Sequence, residues 1–265
     1  YKRQGWLKRV GRLASVDTTR VREGDEVVAV IPGSTLDHVV FFADDGTAYT
    51  MRMNEVPATA GYGEPITKFF RLADQVKIIG AVTTDVRFTP AEQPTKGETP
   101  PGPYLLVATT AGNVLRLPLT AFRTESSKTG RRYVKLDEGD KAVLARLVGD
   151  ETGVMLAARS GHLIHFPVDE VSILAGAGRG VVGIKMDEGI TCVGGVLVGG
   201  RFDKIVLETE KGTNQDFGPG AIKTQKRGGA GGKPGERTRF TRVVPAGIEL
   251  VNWDEVEGKT KKNEE

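Results

Sequence analysis

Val39-Val-Phe-Phe-Ala-Asp-Asp-Gly46 is a short apolar run closed by a glycine turn, and the chain repeats it. Further copies read Leu105-Leu-Val-Ala-Thr-Thr-Ala-Gly112, Val154-Met-Leu-Ala-Ala-Arg-Ser-Gly161 and Ile205-Val-Leu-Glu-Thr-Glu-Lys-Gly212, with a truncated copy at Tyr1-Lys-Arg-Gln-Gly5. A second strand follows each, and then a second turn: Arg22-Glu-Gly24-Asp, Ala73-Asp-Gln75-Val, Asp137-Glu-Gly139-Asp, Asp187-Glu-Gly189-Ile and, more loosely, Pro245-Ala-Gly247-Ile. The leading glycines stand 41, 66, 49 and 51 residues apart. Residues 83–103 hold Pro90, Pro94, Pro100, Pro101 and Pro103 and read as a loop insertion of 21 residues, without which 66 becomes 45. A period of about 40–50 residues built from short strands is the mark of a radial array of small sheets. The expected fold is all-β: a propeller-like ring of four-stranded antiparallel blades, five of them, or six depending on how the ends close. The repeats fall at about 1–37, 38–82, 104–150, 151–200 and 201–253, and 254–265 reads as a charged flexible tail.

The composition agrees. The 265 residues include 35 glycines and few candidate helices. Runs such as Glu26-Val-Val-Ala-Val-Ile31 and Ile190-Thr-Cys-Val-Gly-Gly-Val-Leu-Val198 are apolar, β-branched and bounded by turn residues, as strands are. No apolar stretch is long enough to span a membrane. The opening Tyr-Lys-Arg-Gln-Gly-Trp falls inside a repeat, without initiator Met or signal pattern, and reads as a fragment of a longer protein. A single cysteine, Cys192, points to a reducing compartment and hence the cytoplasm.

Charge is distributed unevenly. The net charge is +3, but residues 252–265 carry five acids against three lysines, leaving +5 on the rest. Tyr1–Arg22 has seven basic residues against Asp17, Arg123–Lys135 five against Glu125, and Ile222–Arg242 seven against Glu236. One such cluster is an ordinary solvated loop. Three at comparable places in a repeat suggest a phosphate-binding perimeter, with the acidic turns on a different surface.

Gly5-Trp-Leu-Lys-Arg9, Phe41-Phe-Ala-Asp-Asp-Gly-Thr-Ala-Tyr49, Glu55-Val-Pro57, Gly61-Tyr-Gly-Glu-Pro-Ile66 and Gly178-Arg-Gly-Val-Val-Gly-Ile-Lys185 resemble the repeats of one family. It is the C-terminal domain of the bacterial DNA gyrase A protein and of its topoisomerase IV counterpart, and the similarity runs in register over nearly the whole chain. The resemblance implies a β-pinwheel whose blades exchange strands. It also implies a domain that binds and bends duplex DNA around a basic rim for a catalytic core on other domains, with chiral wrapping open between the two enzyme types. On that reading the fragment has no catalytic residues and no cofactor, since ATP and magnesium act elsewhere in the holoenzyme. Its partners are duplex DNA, the N-terminal cleavage domain of its own chain and the ATPase subunit. The isolated domain is expected to be monomeric, cytoplasmic and nucleoid-associated.

The expected DNA-binding residues are Lys8, Arg9, Arg12, Arg20, Arg123, Lys128, Arg131, Arg132, Arg179, Lys185, Lys223, Lys226, Arg227, Lys233, Arg237 and Arg239. Gyrases resemble one another in an early box, Gln-Arg-Arg-Gly-Gly-Lys-Gly. Here the matching place reads Val10-Gly-Arg-Leu-Ala-Ser-Val-Asp-Thr-Thr-Arg20, and a partial match stands late, in the loop of Gln225, Lys226, Arg227, Gly228, Gly229, Ala230 and Gly231. First and last blades are neighbours in a closed ring, so this loop is expected at the seam, with Lys226 and Arg227 on phosphate. Bending about 40 base pairs through a half turn costs on the order of 10 kcal/mol, which only many phosphate contacts along an arc can offset.

Other signals carry less. Gly178-Arg-Gly180-Val-Val-Gly183 satisfies a dinucleotide pattern but leads into a strand, where that site needs a helix. His162 and His165 lie three apart on a strand, facing opposite ways, so no metal site is expected. Tyr133 follows Arg132 as a topoisomerase's catalytic tyrosine follows an arginine, yet it fills the strand-entry place that Gly183 fills next, and reads as a half-buried strand aromatic or a contact beside the basic loop. Trp6 is open between blade packing and a rim contact, packing being favoured. Asp137-Glu138 and Asp187-Glu188 precede turn glycines and read as solvated turns. Two other classes remain in view: a propeller for protein–protein assembly, which calls for apolar loop tips, and an enzyme built on a propeller, which calls for convergent polar residues near the channel.

Overall fold

The computed structural model describes residues 1, 5–94, 97–235 and 238–258. Those residues form five antiparallel sheets. The second sheet has four strands, Ile78–Thr83, His38–Ala43, Thr47–Arg52 and Arg131–Arg132 in spatial order, and the third repeats it with Ala142–Leu147, Tyr104–Thr109, Asn113–Pro118 and Val181–Val182. The fourth has Cys192–Val198, Gly153–Ala158 and Leu163–Pro167, and the fifth Phe240–Val243, Ile205–Thr209 and Asn214–Phe217. The first has two strands, Trp6–Leu7 and Glu64–Pro65.

In each complete blade the outermost strand is lent by the next repeat. Arg131–Arg132 pairs with Thr47–Ala48, and Val181–Val182 with Asn113–Val114. Glu64–Pro65 does the same for Trp6–Leu7, and Gly232 bridges Leu163 in the fourth sheet. Innermost strands of successive blades meet one another, 78–83 with 142–147, 142–147 with 192–198, and 192–198 with 240–243. The lent strands therefore lie on the opposite, outer edge.

The second to fifth sheets also keep one irregularity each. The register shifts between Phe42 and Ala43, Ala108 and Thr109, Ala157 and Ala158, and Glu208 and Thr209. Such a bulge in an antiparallel pair bends the strand and increases twist, which suits curving blades.

Blades stack face to face, which explains the unbroken apolar runs. Leu105, Leu106, Val107 and Ala108 are all 0% exposed. Leu105 and Val107 join Val40, Phe42 and Tyr133 of the preceding blade, while Leu106 and Ala108 join Leu156, Ile164 and Phe166 of the following one. A strand covered on both faces has no reason to alternate apolar with polar residues.

The ends depart from the repeat. Glu26–Ile31, expected as a strand, is not one: the N–H groups of Val28 and Ala29 donate to Tyr1 O at 3.0 and 3.3 Å, with no continuing ladder among the described residues. The looser fifth turn at Gly247 lacks the positive φ and closing bond of the other four. Instead the chain runs back to the first repeat, where Trp253–Val256 forms a helical turn capped by Asn252. Trp253 meets Phe88 edge-on at 5.8 Å, Arg12 and Arg87 lie over its ring, and Arg12 pairs with Glu257. Residues 254–258 of the expected tail are thus part of a docked turn, and 259–265 lie outside the described residues. The insertion is held in the same way: Asp85 accepts from Ser34 N–H at 2.8 Å and from the Arg87 guanidinium, while Arg123 donates to Thr84 O and Pro90 O.

Candidate nucleic-acid interface

The loop that delivers each lent strand recurs in four repeats. Ala60-Gly61-Tyr62-Gly63, Ser127-Lys128-Thr129-Gly130, Ala177-Gly178-Arg179-Gly180 and Gly228-Gly229-Ala230-Gly231 occupy equivalent places before their strands. Their last glycines are left-handed, with φ of 92° at Gly63, 71° at Gly130, 76° at Gly180 and 74° at Gly231. A side chain on any of them would collide with a carbonyl of the strand being covered: Leu7, Ala48, Val114 and Leu163 respectively. Glycine here is needed twice, for the left-handed backbone and for close approach.

Beyond the lent strand the chain touches the next loop. Arg71 N–H donates to Lys128 O at 2.8 Å, Lys135 N–H to Gly178 O at 3.0 Å, and Lys185 N–H to Gly229 O at 2.9 Å. Each of these blade junctions on the outer edge therefore joins a basic segment to a glycine loop. Lys135 and Lys185 occupy one register position, two residues past Tyr133 and Gly183, and Arg71 takes that place at the first junction, where the 3-10 turn Ile66–Lys68 intervenes. All three are exposed. Lys135 is not among the cations expected from sequence, although its alignment with Lys185 in Val134-Lys-Leu136 is an available signal.

The structure sorts the expected cations. Lys128, Lys185, Lys223, Lys226, Lys233 and Arg239 are exposed, and none makes an ion pair among the described residues. Arg132 is exposed with one long bond, 3.4 Å, to Asp45 O. Others are taken up by the fold. Arg131 donates to Ala121 O at 2.6 Å, Thr124 O at 3.0 Å and Glu125 O at 2.6 Å. Arg123 is half-buried against the insertion, and burial lowers its pKa. Arg9 donates to Val56 O at 3.3 Å, and Arg12 is engaged by Glu257 and Trp253. Arg179 pairs with Asp137 at 3.0 Å, so the acidic turn of one repeat lies against the basic loop of the next, and the signs are not fully segregated. Lys8 and Arg20 lie together at the first junction, Lys8 Nζ donating to Gly61 O at 2.8 Å. Arg237 lies outside the described residues.

The partial box differs most from expectation. It sits on the outer edge between the third and fourth blades, away from the seam of first and last: Lys185 N–H donates to Gly229 O, Gly228 N–H to Gly183 O, and Gln225 N–H to His165 O. It is the ordinary strand-lending loop of the last repeat. Arg227 holds it down through its own N–H to Glu170 Oε2 at 2.7 Å, Nε to Glu170 O at 3.0 Å and Nη1 to Val182 O at 2.7 Å. Lys226 is left exposed beside it. Sequence could not show this, because a box is recognised by residue types and its place by pairing with Leu163.

Of the discounted residues, Tyr133 is fully buried, with its hydroxyl on Ala43 O at 2.7 Å. His162 bonds Ser160 and His165 bonds Thr224, and burial lowers both their pKa values. Among the described residues no group of three or more His, Cys, Asp or Glu is placed to hold a metal ion, and no helix is long and apolar enough to cross a membrane.

A family model described as "DNA gyrase C-terminal domain, beta-propeller" matches residues 37–85, 103–148 and 154–194, together just over half the chain and centred on the second, third and fourth sheets. The chain is 34% identical over 165 residues to the DNA gyrase A protein of Chlamydia muridarum, covering 61% of this chain and 18% of that protein. It is 28% identical over 240 residues to the DNA gyrase A protein of Helicobacter pylori, covering 86% and 27%. It thus spans roughly a fifth to a quarter of the length of the curated relatives it matches. Among solved structures it is similar to the C-terminal domain of DNA topoisomerase IV (TM-score 0.78, 20% identity, covering 93% of this chain and 76% of that one). It is also similar to the E. coli ParC C-terminal domain (TM-score 0.70, 18% identity, 92% and 95%). At those identities the likeness is one of fold.

Proposed function

The chain belongs to the DNA gyrase C-terminal domain, beta-propeller family, and from that premise we propose that it binds duplex DNA along its outer edge and bends it for a type IIA topoisomerase of which it is a part. The observation that carries this reading is the recurrence of one glycine loop with exposed cations at successive blade junctions. Lys128 and Arg132, then Lys135, then Lys185, Lys226 and Lys233 follow one another around the perimeter. An arc of point charges suits a phosphate backbone, which repeats along its own curve, and reads no base sequence. The remaining chemistry, with ATP and magnesium, belongs to the cleavage domain and the ATPase subunit of the same cytoplasmic, nucleoid-associated assembly.

The test is fluorescence anisotropy of a labelled duplex of about 40 base pairs across a salt series. Affinity should fall steeply, with a log–log slope of about −0.9 per phosphate contacted, and should vary little with sequence. Lys128→Ala, Arg132→Ala, Lys135→Ala and Lys185→Ala together should lower both affinity and slope. The control set Lys77→Ala and Lys211→Ala, exposed but off the junctions, should change neither. Equal losses from both sets would overturn the assignment of the outer edge.

A further inference from the structure

We propose that the first junction holds a built phosphate-binding site, formed by Arg20, Arg22 and Lys8 on a frame of Trp6 and Tyr62. Its nucleic-acid use rests on the function proposed above, while the site itself rests on geometry at one place. The Arg22 guanidinium carbon lies 3.7 Å from the centroid of the Trp6 ring and 5.9 Å from that of Tyr62. Arg20 lies 5.6 Å from Tyr62. Trp6, Arg22, Tyr62 and Arg20 therefore alternate aromatic and cation. Lys8 closes the group, its Nζ donating to Gly61 O at 2.8 Å and to Arg20 O at 3.4 Å.

This cluster differs from the arginines that the fold takes up. Arg131 and Arg227 use their N–H groups on carbonyls, and Arg52, Arg87 and Arg242 use theirs on carboxylates. Among the described residues the Arg22 guanidinium is stacked on Trp6 and that of Arg20 lies within cation–π range of Tyr62, and neither they nor Lys8 form an ion pair, although Glu23 follows Arg22 directly. Stacking occupies the flat face of a guanidinium and leaves its N–H donors in the plane, fixed in direction and able to take a phosphate with two bonds at once. Holding two guanidinium groups and an ammonium together without an acid is unfavourable until an anion arrives. In accord with this, burial and the charge of Arg20 hold the Lys8 ammonium below its usual range.

The ligand is a phosphate group, either of a nucleic-acid backbone or of a free polyphosphate. The other junctions lack the frame: where the first has Tyr62, they have Thr129, Arg179 and Ala230. Sequence alone does not mark the site, because Arg22 begins an acidic turn and Trp6 reads more readily as packing.

Trp253→Phe leaves Trp6 as the sole tryptophan of the two. In that background Trp6 emission is titrated with inorganic tripolyphosphate and with a short duplex at low salt, with melting temperature as the check on folding. Both ligands should change the emission saturably. Arg20→Ala with Arg22→Ala should remove the change and lower the duplex salt slope by about two, one for each lost contact. Arg22→Lys, which keeps the charge and loses the stacked fork, should lose most of the tripolyphosphate response. Tyr62→Phe should retain it. A duplex response without a tripolyphosphate response assigns the site to the nucleic-acid backbone. A tripolyphosphate response with no duplex binding keeps the site and sinks the DNA-binding reading. Duplex binding in which Trp6 responds to neither ligand, or Arg22→Lys indistinguishable from the parent, overturns the site and leaves the DNA-binding reading standing.

Discussion

Tyr133 is packed edge-on to Phe42 at 5.2 Å between centroids, and its hydroxyl serves Ala43 O, in a repeat other than its own. Tyr133→Phe should cost about 1 kcal/mol by leaving that carbonyl unserved, and Tyr133→Ala about 3–5 kcal/mol by opening a cavity. Urea titration separates the two. Gln75 is a different case: it takes φ of 68°, the one positive value outside glycine among the described residues, where the equivalent turns have Gly24, Gly139 and Gly189. Gln75→Gly should therefore raise stability by up to about 1 kcal/mol, since relief of left-handed strain outweighs the added freedom of the unfolded chain. Cys192 is fully buried and its thiol is pushed up to about 11. A raised acid pKa stabilises below the ordinary value of 9.0 and loses that contribution as pH climbs toward 11, and the native chain should resist thiol reagents at neutral pH. Asp85 behaves oppositely. The Arg87 hydrogen bond, together with backbone N–H groups, lowers it to about 2, so its contribution is present above 3.8 and is lost as pH falls toward 2. Acid titration of Arg87→Ala should show that loss at higher pH than the parent.

At the scale of elements, the lent strand depends on its glycine. Gly180 and Gly139 have nearly the same φ, 76 and 77°, but a side chain at Gly180 would strike Val114 O while one at Gly139 meets open space. Gly139→Ala should cost about 1–2 kcal/mol, the penalty of left-handed backbone alone. Gly180→Ala should cost clearly more, because the strand Val181–Val182 must lift from its pair. Hydrogen exchange should then rise at Val181 and Val182 as global stability falls; equal costs for the two variants would mean the strand tolerates displacement. The same logic explains why the partial box is rich in glycine: Gly231 is the strand-lending position, and Arg227 anchors the loop to Glu170 and Val182. Arg227→Ala should loosen the loop and lower stability, whereas Lys226→Ala should leave stability unchanged and weaken DNA binding.

For the whole molecule, closure is the distinctive question. No lent strand reaches Asn214–Phe217 among the described residues, and the first sheet has two strands. The first repeat is fastened instead by the returning C-terminal turn, through Trp253 and Glu257 on Arg12, while Phe88 and Arg87 of the insertion flank the same Trp253 ring. Trp253→Ala should therefore loosen residues 5–31 selectively, read as faster proteolysis there with the second to fourth blades still protected. A seam that shows neither strand exchange nor box among the described residues also bears on the DNA path. Ligation of nicked plasmid in the presence of the domain should yield an unshifted topoisomer distribution while DNA is still retarded in gels. A shifted distribution would assign chiral wrapping to the remaining junctions.

The repeat was legible in the chain because the apolar runs of the second to fourth blades are buried on both faces and each ends in a turn with its own backbone demand. Leu105–Ala108 and Gly112 announce a blade without help from the rest. The second turns were legible for the same local reason, even where Gln75 replaces glycine. Which repeat lends its outer strand to which blade was not, because Arg131 and Val181 pair across dozens of residues and a two-residue strand has no periodicity to read. For that reason charge alone marked the cations, and tertiary structure divided them. Arg131 and Arg227 lie in basic runs like Lys128 and Lys226, yet their donors are used on carbonyls that reach them only after the blades stack. Composition sets how many charges a loop carries; the acceptors folded against it decide which remain for a ligand.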